Sequence, residues 1–146
     1  MSCEPGAVPK QARTRVAGVG QARAYAGKAE EFLAAAIAEL KAGRTIAATS
    51  LAIHAGINAA DALTGMRLGK RAAGQDHDEV LRLLRDAGRD GAALAKDLIR
   101  LLPMKTKAEY EPDDVSKSAA TKAVERAQRC VAVARRVVDS QTDEKP

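Results

Sequence analysis

Four polar residues in one segment, Ser50, His54, Asn58 and Asp61, follow one another at steps of four, four and three. That spacing sets them in a single row on a helix whose other residues are mostly Ala, Leu and Ile. An imidazole exchanges protons near neutral pH, and a carboxylate on the same face can share the work. His54 with Asp61 is therefore one candidate acid–base pair. A polar row in apolar surroundings costs free energy unless it is hydrogen-bonded. The row either closes on a neighbouring helix or lines a cleft. Arg71 and His77, six positions apart, make a second candidate pair: a guanidinium for anionic charge and an imidazole for the proton. His77 also reads as a packing group just behind a helix N-cap.

Other chemistries find no support. His54 and His77 are the only histidines, and no cysteine or acidic motif joins them at ligand spacing, so neither a metal nor a cofactor is expected. No glycine-rich phosphate loop follows a strand, and no Ser or Cys sits in a nucleophile motif. Arg44, Arg67, Lys70, Arg71, Lys105 and Lys107 fall near expected connectors. Gathered at one end of a fold they would grip phosphate; scattered, they are a solvated rim.

The elements that must position these groups are helices. The chain has 146 residues, enough for one domain, with 46% hydrophobic but only 2% aromatic residues. Ala and Leu favour helix, and the aromatic residues that favour strands are scarce. The +5 charge permits attraction to nucleic acid without demanding it. Cys3 and Cys130 lie at opposite ends, so a disulfide is not expected. Residues 46–63 come nearest to a membrane span, but His54, Asn58 and Asp61 interrupt them, and no membrane partner is expected. Glu4, Pro5 and Pro9 occupy the place of a leader's apolar run, which points to the cytoplasm.

Residues 1–20 read as a flexible basic arm, with helix over Ala12–Ala17. A helix is expected from Gln21 to Ala42, ended by Gly43 in the place of a left-handed cap. A second, from Thr45 to Leu68, is apolar over most of its surface and should be central. Gly69–Gln75 reads as a loop. Asp76 with Glu79 forms a capping-box pattern that opens a third helix running to Leu102, which Gly88 and Gly91 could bend. Pro103–Val115 reads as a connector, Ser116–Asp139 as the last helix, and residues 140–146 as a disordered tail. Four helices on short connectors pack most simply as an antiparallel bundle, over residues 21–139. So apolar a second helix predicts a symmetric homodimer through Ile53, Ile57 and Ala60.

Two stretches resemble the HEPN family of helical bundles. The first is Ala47–Leu84, with Ser50, His54, Ala55, Asn58, Ala59, Asp61 and Ala62 before Leu68, Gly69, Gln75, Asp76, His77 and Leu84. The second is Lys105–Val131, where a basic residue precedes the Glu109–Tyr110 pair and an Ala-rich helix. The resemblance implies an all-α, four-helix bundle in a bacterial toxin–antitoxin or RNA-related defence system. It also implies RNA or nucleotide as ligand, a homodimer, and a cognate antitoxin or nucleotidyltransferase as partner. Active relatives cut RNA without metal through an Arg and a His four to six residues apart. Here Lys105 replaces the arginine, and Glu109 or Tyr110 stands where the histidine belongs, so cleavage is not expected from that motif. The candidate RNA or nucleotide contacts are Asn58 of the polar row, the connector cations Lys70, Arg71, Lys105 and Lys107, and Tyr110. A homodimeric interaction module without RNA, and a metal-independent ribonuclease toxin, are the alternatives.

Overall fold

A computed structural model describes residues 14–73 and 77–143 of the chain. Element order is β1 (Thr14–Val16), α1 (Val19–Lys41), α2 (Thr45–Leu68), β2 (Lys70–Ala72), α3 (His77–Asp86), α4 (Gly88–Leu101), α5 (Met104–Glu109) and α6 (Lys117–Asp143). The helical bundle is the architecture that composition and periodicity predict. Its two long central helices begin and end within about two residues of their expected bounds.

α2 is the centre of the bundle, packed on α1 and α6 most extensively and also on α4, α5 and β2. Its length and mean hydropathy would suffice to cross a membrane, which corrects the expectation that polar residues interrupt it too often. Within this fold that apolar surface is core: Ala48, Ala52, Ile53, Ala55, Ala59, Ala60, Ala62 and Leu63 are fully buried. Ile53 and Ala60 are thus enclosed by the chain's own helices, with Ile57 partly buried against the same core. The expected dimer face is covered within one chain, and the argument for a dimer through it falls. Small residues make the enclosure tight. At Gly56 an added Cβ would lie 2.9 Å from Leu101 Cδ1, so α4 packs almost onto the α2 backbone.

The expected third helix is two. Gly88 adopts φ +83°, a left-handed conformation that ends α3 and starts α4 in a new direction. α4 returns so close to α3 that a Cβ on Gly91 would stand 2.0 Å from the Leu84 carbonyl oxygen. The turn lets Leu83 and Leu84 of α3 and Leu94, Leu98 and Leu101 of α4 all be buried.

The ends differ from expectation too. Thr14–Val16 is a strand rather than part of a helix, and it pairs antiparallel with β2 inside the segment read as a loop. Thr14 faces Ala72, Arg15 faces Arg71 and Val16 faces Lys70, while Ala17 N–H donates to the Gly69 carbonyl at 3.0 Å. The expected connector after Pro103 holds α5, seated by Ala108, Val115 and Ala120 in a small cluster with Leu40 and Met104. α6 continues to Asp143, past the expected tail boundary at residue 140. Val19 and Gly20, expected in the arm, open α1, while residues 1–13 of that arm, Gly74, Gln75, the Asp76 cap and residues 144–146 lie outside the described residues. Cys3 does as well; Cys130 is a free, buried thiol.

The α3–α4 turn yields a paired test in urea denaturation. Gly91→Ala should destabilise the protein by about 3 kcal/mol, because a backbone carbonyl must move. Gly27→Ala, on α1 with nothing within 4 Å of its Cβ, should be neutral or stabilise by up to about 1 kcal/mol. Equal midpoints for the two variants would contradict the close α3–α4 approach.

Candidate functional site

The polar row of α2 comes out along the edge where α2 meets α1, with α5 near one end and β2 near the other. At its N-terminal end the Ser50 hydroxyl donates to Glu109 Oε2 at 3.0 Å. His54 Nε2 lies 3.7 Å from the same oxygen, within ion-pair range but too far for a hydrogen bond. The His54 side chain is 43% exposed and Glu109 21%, so the ring stands in solvent reach above a more sheltered carboxylate. Phe32 of α1 packs on the imidazole, ring centroids 5.3 Å apart at a 31° tilt. Asn58 Nδ2 donates to the His54 carbonyl at 2.8 Å, tying one turn of the row to the next.

Asp61 lies eleven residues past Ser50, about 16 Å along the helix axis. It is only 9% exposed, and burial pushes its carboxyl up to about 7, against the opposing charges of Arg71 and Lys28. Arg71 itself is anchored: its guanidinium sits 5.3 Å from the centroid of the Tyr25 ring, and Nη1 donates to the Ala72 carbonyl at 3.1 Å. β1 adds Arg15 directly across the ladder from Arg71. Two cations opposite each other repel, and the nearby carboxyl and the ring face offset that cost. One turn beyond Asp61, the Thr64 hydroxyl is buried with no hydrogen-bond partner among the described residues.

His54 and Asp61 therefore share a face without forming a pair; about 10 Å of helix separates them, and the carboxylate that faces His54 is Glu109. Arg71 and His77 serve different surroundings. Arg71 stands over Tyr25, whereas His77 opens α3 and borders a shallow cavity of about 340 Å³ with Leu81, Ile99, Lys105 and Thr106. The cations do not gather into one patch. Lys70 and Arg71 lie on β2, while Lys105 and Lys107 lie on α5. Tyr110, at the end of α5, is 71% exposed.

Sequence reasoning missed Glu109 as the partner of Ser50 and His54, because 59 residues separate Ser50 from it. It also missed Tyr25, Lys28 and Phe32. Their steps of three and four on α1, including the chain's single phenylalanine, were the available signal.

Chemically, the row offers an accessible imidazole beside a carboxylate, a second carboxyl that exchanges its proton near neutrality, the partly buried rings of Tyr25 and Phe32, and flanking cations. That set suits a ligand carrying both negative charge and flat, hydrogen-bonding groups. Among the described residues no group of three or more His, Cys, Asp or Glu side chains is arranged to hold a metal ion. A family model described as the HEPN domain matches residues 22–141. No curated protein matches the chain.

Asp61 gives a stability prediction with a definite sign. Its carboxyl binds a proton up to about pH 7 when folded, but only to about pH 4 when unfolded. The folded state thus holds the extra proton between these values, and stability falls as pH rises from about 4 to 7, then levels off. Asp61→Asn should remove this component and be the more stable protein at pH 8, by up to about 4 kcal/mol, with the difference fading below pH 4. Urea denaturation at pH 4, 5.5 and 8 checks it; a wild type equal to or more stable than the variant at pH 8 would contradict the burial argument.

Proposed function

The chain belongs to the HEPN domain family, and from that premise we propose that it binds single-stranded RNA along the edge where α1 meets α2 without cutting it. HEPN domains are known in RNA-related toxin and defence systems, and they often dimerise and act with RNA. Phe32 and the His54 ring offer stacking surfaces for unpaired bases, Asn58 and Glu109 offer hydrogen bonds, and Lys28 and Arg71 neutralise phosphates. The reading includes a homodimer joined through a surface other than the covered Ile53–Ala60 face.

The observation that carries the non-catalytic part is the bonding of Glu109. At the place where active relatives carry the histidine, this carboxylate accepts the Ser50 hydroxyl and faces His54. Lys105, in the place of the arginine, borders the cavity of His77 instead. The family's acid–base pair, which contributes on the order of 10²–10⁴ in rate where such a pair operates, has no equivalent in α5.

Two measurements test the proposal. In fluorescence anisotropy, a short single-stranded RNA should bind with affinity that falls steeply as salt rises. Lys28→Ala and Arg71→Ala should each weaken it and reduce the log–log salt slope by about one. A double variant that binds as tightly as wild type would overturn the assignment to this edge. In an RNase assay with EDTA present, wild type should stay at the level of a mock purification. Cleavage that His54→Ala abolishes, with circular dichroism unchanged, would make the protein an enzyme after all.

A further inference from the structure

A buried carboxyl stands among the very cations that the RNA reading assigns to phosphate. Asp61 is 9% exposed, and the charges that act on it are Arg71 of β2 and Lys28 of α1. Around them, Tyr25 of α1 lies against the Arg71 guanidinium, and Arg15 of β1 sits across the ladder from Arg71. On α2 itself the other titratable groups are His54, about 10 Å back along the axis, and Arg67, which Asp90 holds. Among the described residues no charge of α3, α4, α5 or α6 acts on the carboxyl comparably.

This cluster leaves both protonation states open. Arg71 and Lys28 act on Asp61 through space, without a hydrogen bond that would hold the carboxylate ionised. The Thr64 hydroxyl, one turn on, is buried without a partner among the described residues and does not lock the carboxyl either. Burial favours the neutral form, the two cations favour the charged one, and the balance falls at about 7. The two states differ by a full charge beside the place where phosphates would lie. Ionised, Asp61 offsets one of the two cations and repels an incoming phosphate. Neutral, it leaves both cations to the ligand.

We propose that Asp61 is a proton-dependent switch on RNA binding, whose neutral form frees Lys28 and Arg71 for phosphates and whose ionised form withdraws them. The switch names a regulation of the α1–α2 edge and rests on the RNA-binding reading of that edge. Its sign follows from charge alone. Phosphates beside the carboxyl favour the proton, so the complex keeps it to higher pH than the free protein does. Affinity is therefore level at acid pH, falls as pH rises through about 7, and levels again once the complex too has lost the proton. By reciprocity, RNA must raise the proton affinity of Asp61 by the same factor that ionisation takes from RNA affinity.

Fluorescence anisotropy of one short single-stranded RNA, at fixed low salt and at about pH 5.5, 7 and 8.5, tests the switch on wild type and Asp61→Asn. The two proteins should bind alike at the lowest pH. At the highest, Asp61→Asn should bind about tenfold more tightly, the equivalent of a one-unit displacement of the carboxyl's midpoint by RNA. An imidazole can titrate in the same range, so the pair is repeated in a His54→Gln background. Binding should be weaker there at every pH, with the tenfold difference kept. Circular dichroism should be constant across the range, which separates lost affinity from lost fold. The carboxyl carbon of isotopically labelled Asp61 should titrate about one unit higher with RNA than without it. Equal affinities of wild type and Asp61→Asn at every pH, or a midpoint that RNA leaves in place, would overturn the switch while the RNA reading stands. RNA bound by neither protein at the lowest pH would overturn the reading and the switch together.

Discussion

The structure turns on a conflict within α2. The helix is apolar around most of its circumference and must be enclosed, yet it carries a row of hydrogen-bonding side chains that cannot be enclosed without partners. The fold meets both demands by turning the row to the α1 edge of the bundle. Each polar group there finds a neighbour from another element or a local bond: Glu109 for Ser50 and His54, the His54 carbonyl for Asn58, and the charges of Arg71 and Lys28 for Asp61. Asp61 and Thr64 stay least satisfied, and the shift of Asp61 toward neutral pH measures that cost.

Enclosure of α2 explains why one chain suffices where two looked necessary. Alanine and glycine let neighbouring helices approach until side chains touch backbone, as Leu101 does at Gly56 and Ala22 at Gly65. Splitting the third helix at Gly88 then supplies an extra wall, with Leu98 and Leu101 laid over α2. Much of the charge is spent away from the α2 row. Arg135 pairs with Glu30, Arg129 with Asp97, and Arg67 and Arg136 both with Asp90, whose carboxyl the Arg136 hydrogen bond in particular holds below its usual range. The net charge of +5 therefore says less about ligand binding than the few cations placed beside the α2 row.

The long helices were legible because their signals are local. Apolar residues recur at helical steps, Gly43 closes α1, and Thr45–Leu68 is an uninterrupted run. The polar row could be read for the same reason, since it is a periodicity within one element. What stayed hidden was long-range. Three-residue strands leave no alternation to count, and β1 forms only because Gly69 and β2 are there to receive it. The Ser50–Glu109 bond joins residues whose neighbourhood depends on how α5 seats against Leu40 and Ala120. The Gly88 break was foreseen as a bend, but its size follows from a φ that sequence does not specify.

The central claim is that the α2 row, between Glu109 and Arg71, is where this protein meets RNA. Amide chemical shifts of isotopically labelled protein, followed while a short single-stranded RNA is titrated in, test it directly. The account predicts that the largest changes fall on Lys28 and Phe32 of α1, on His54, Asn58 and Asp61 of α2, and on Arg71, with the outer face of α6 unmoved. Shifts concentrated on α6, or on the α3 and α4 surface around Ile99 while the row stays silent, would contradict it.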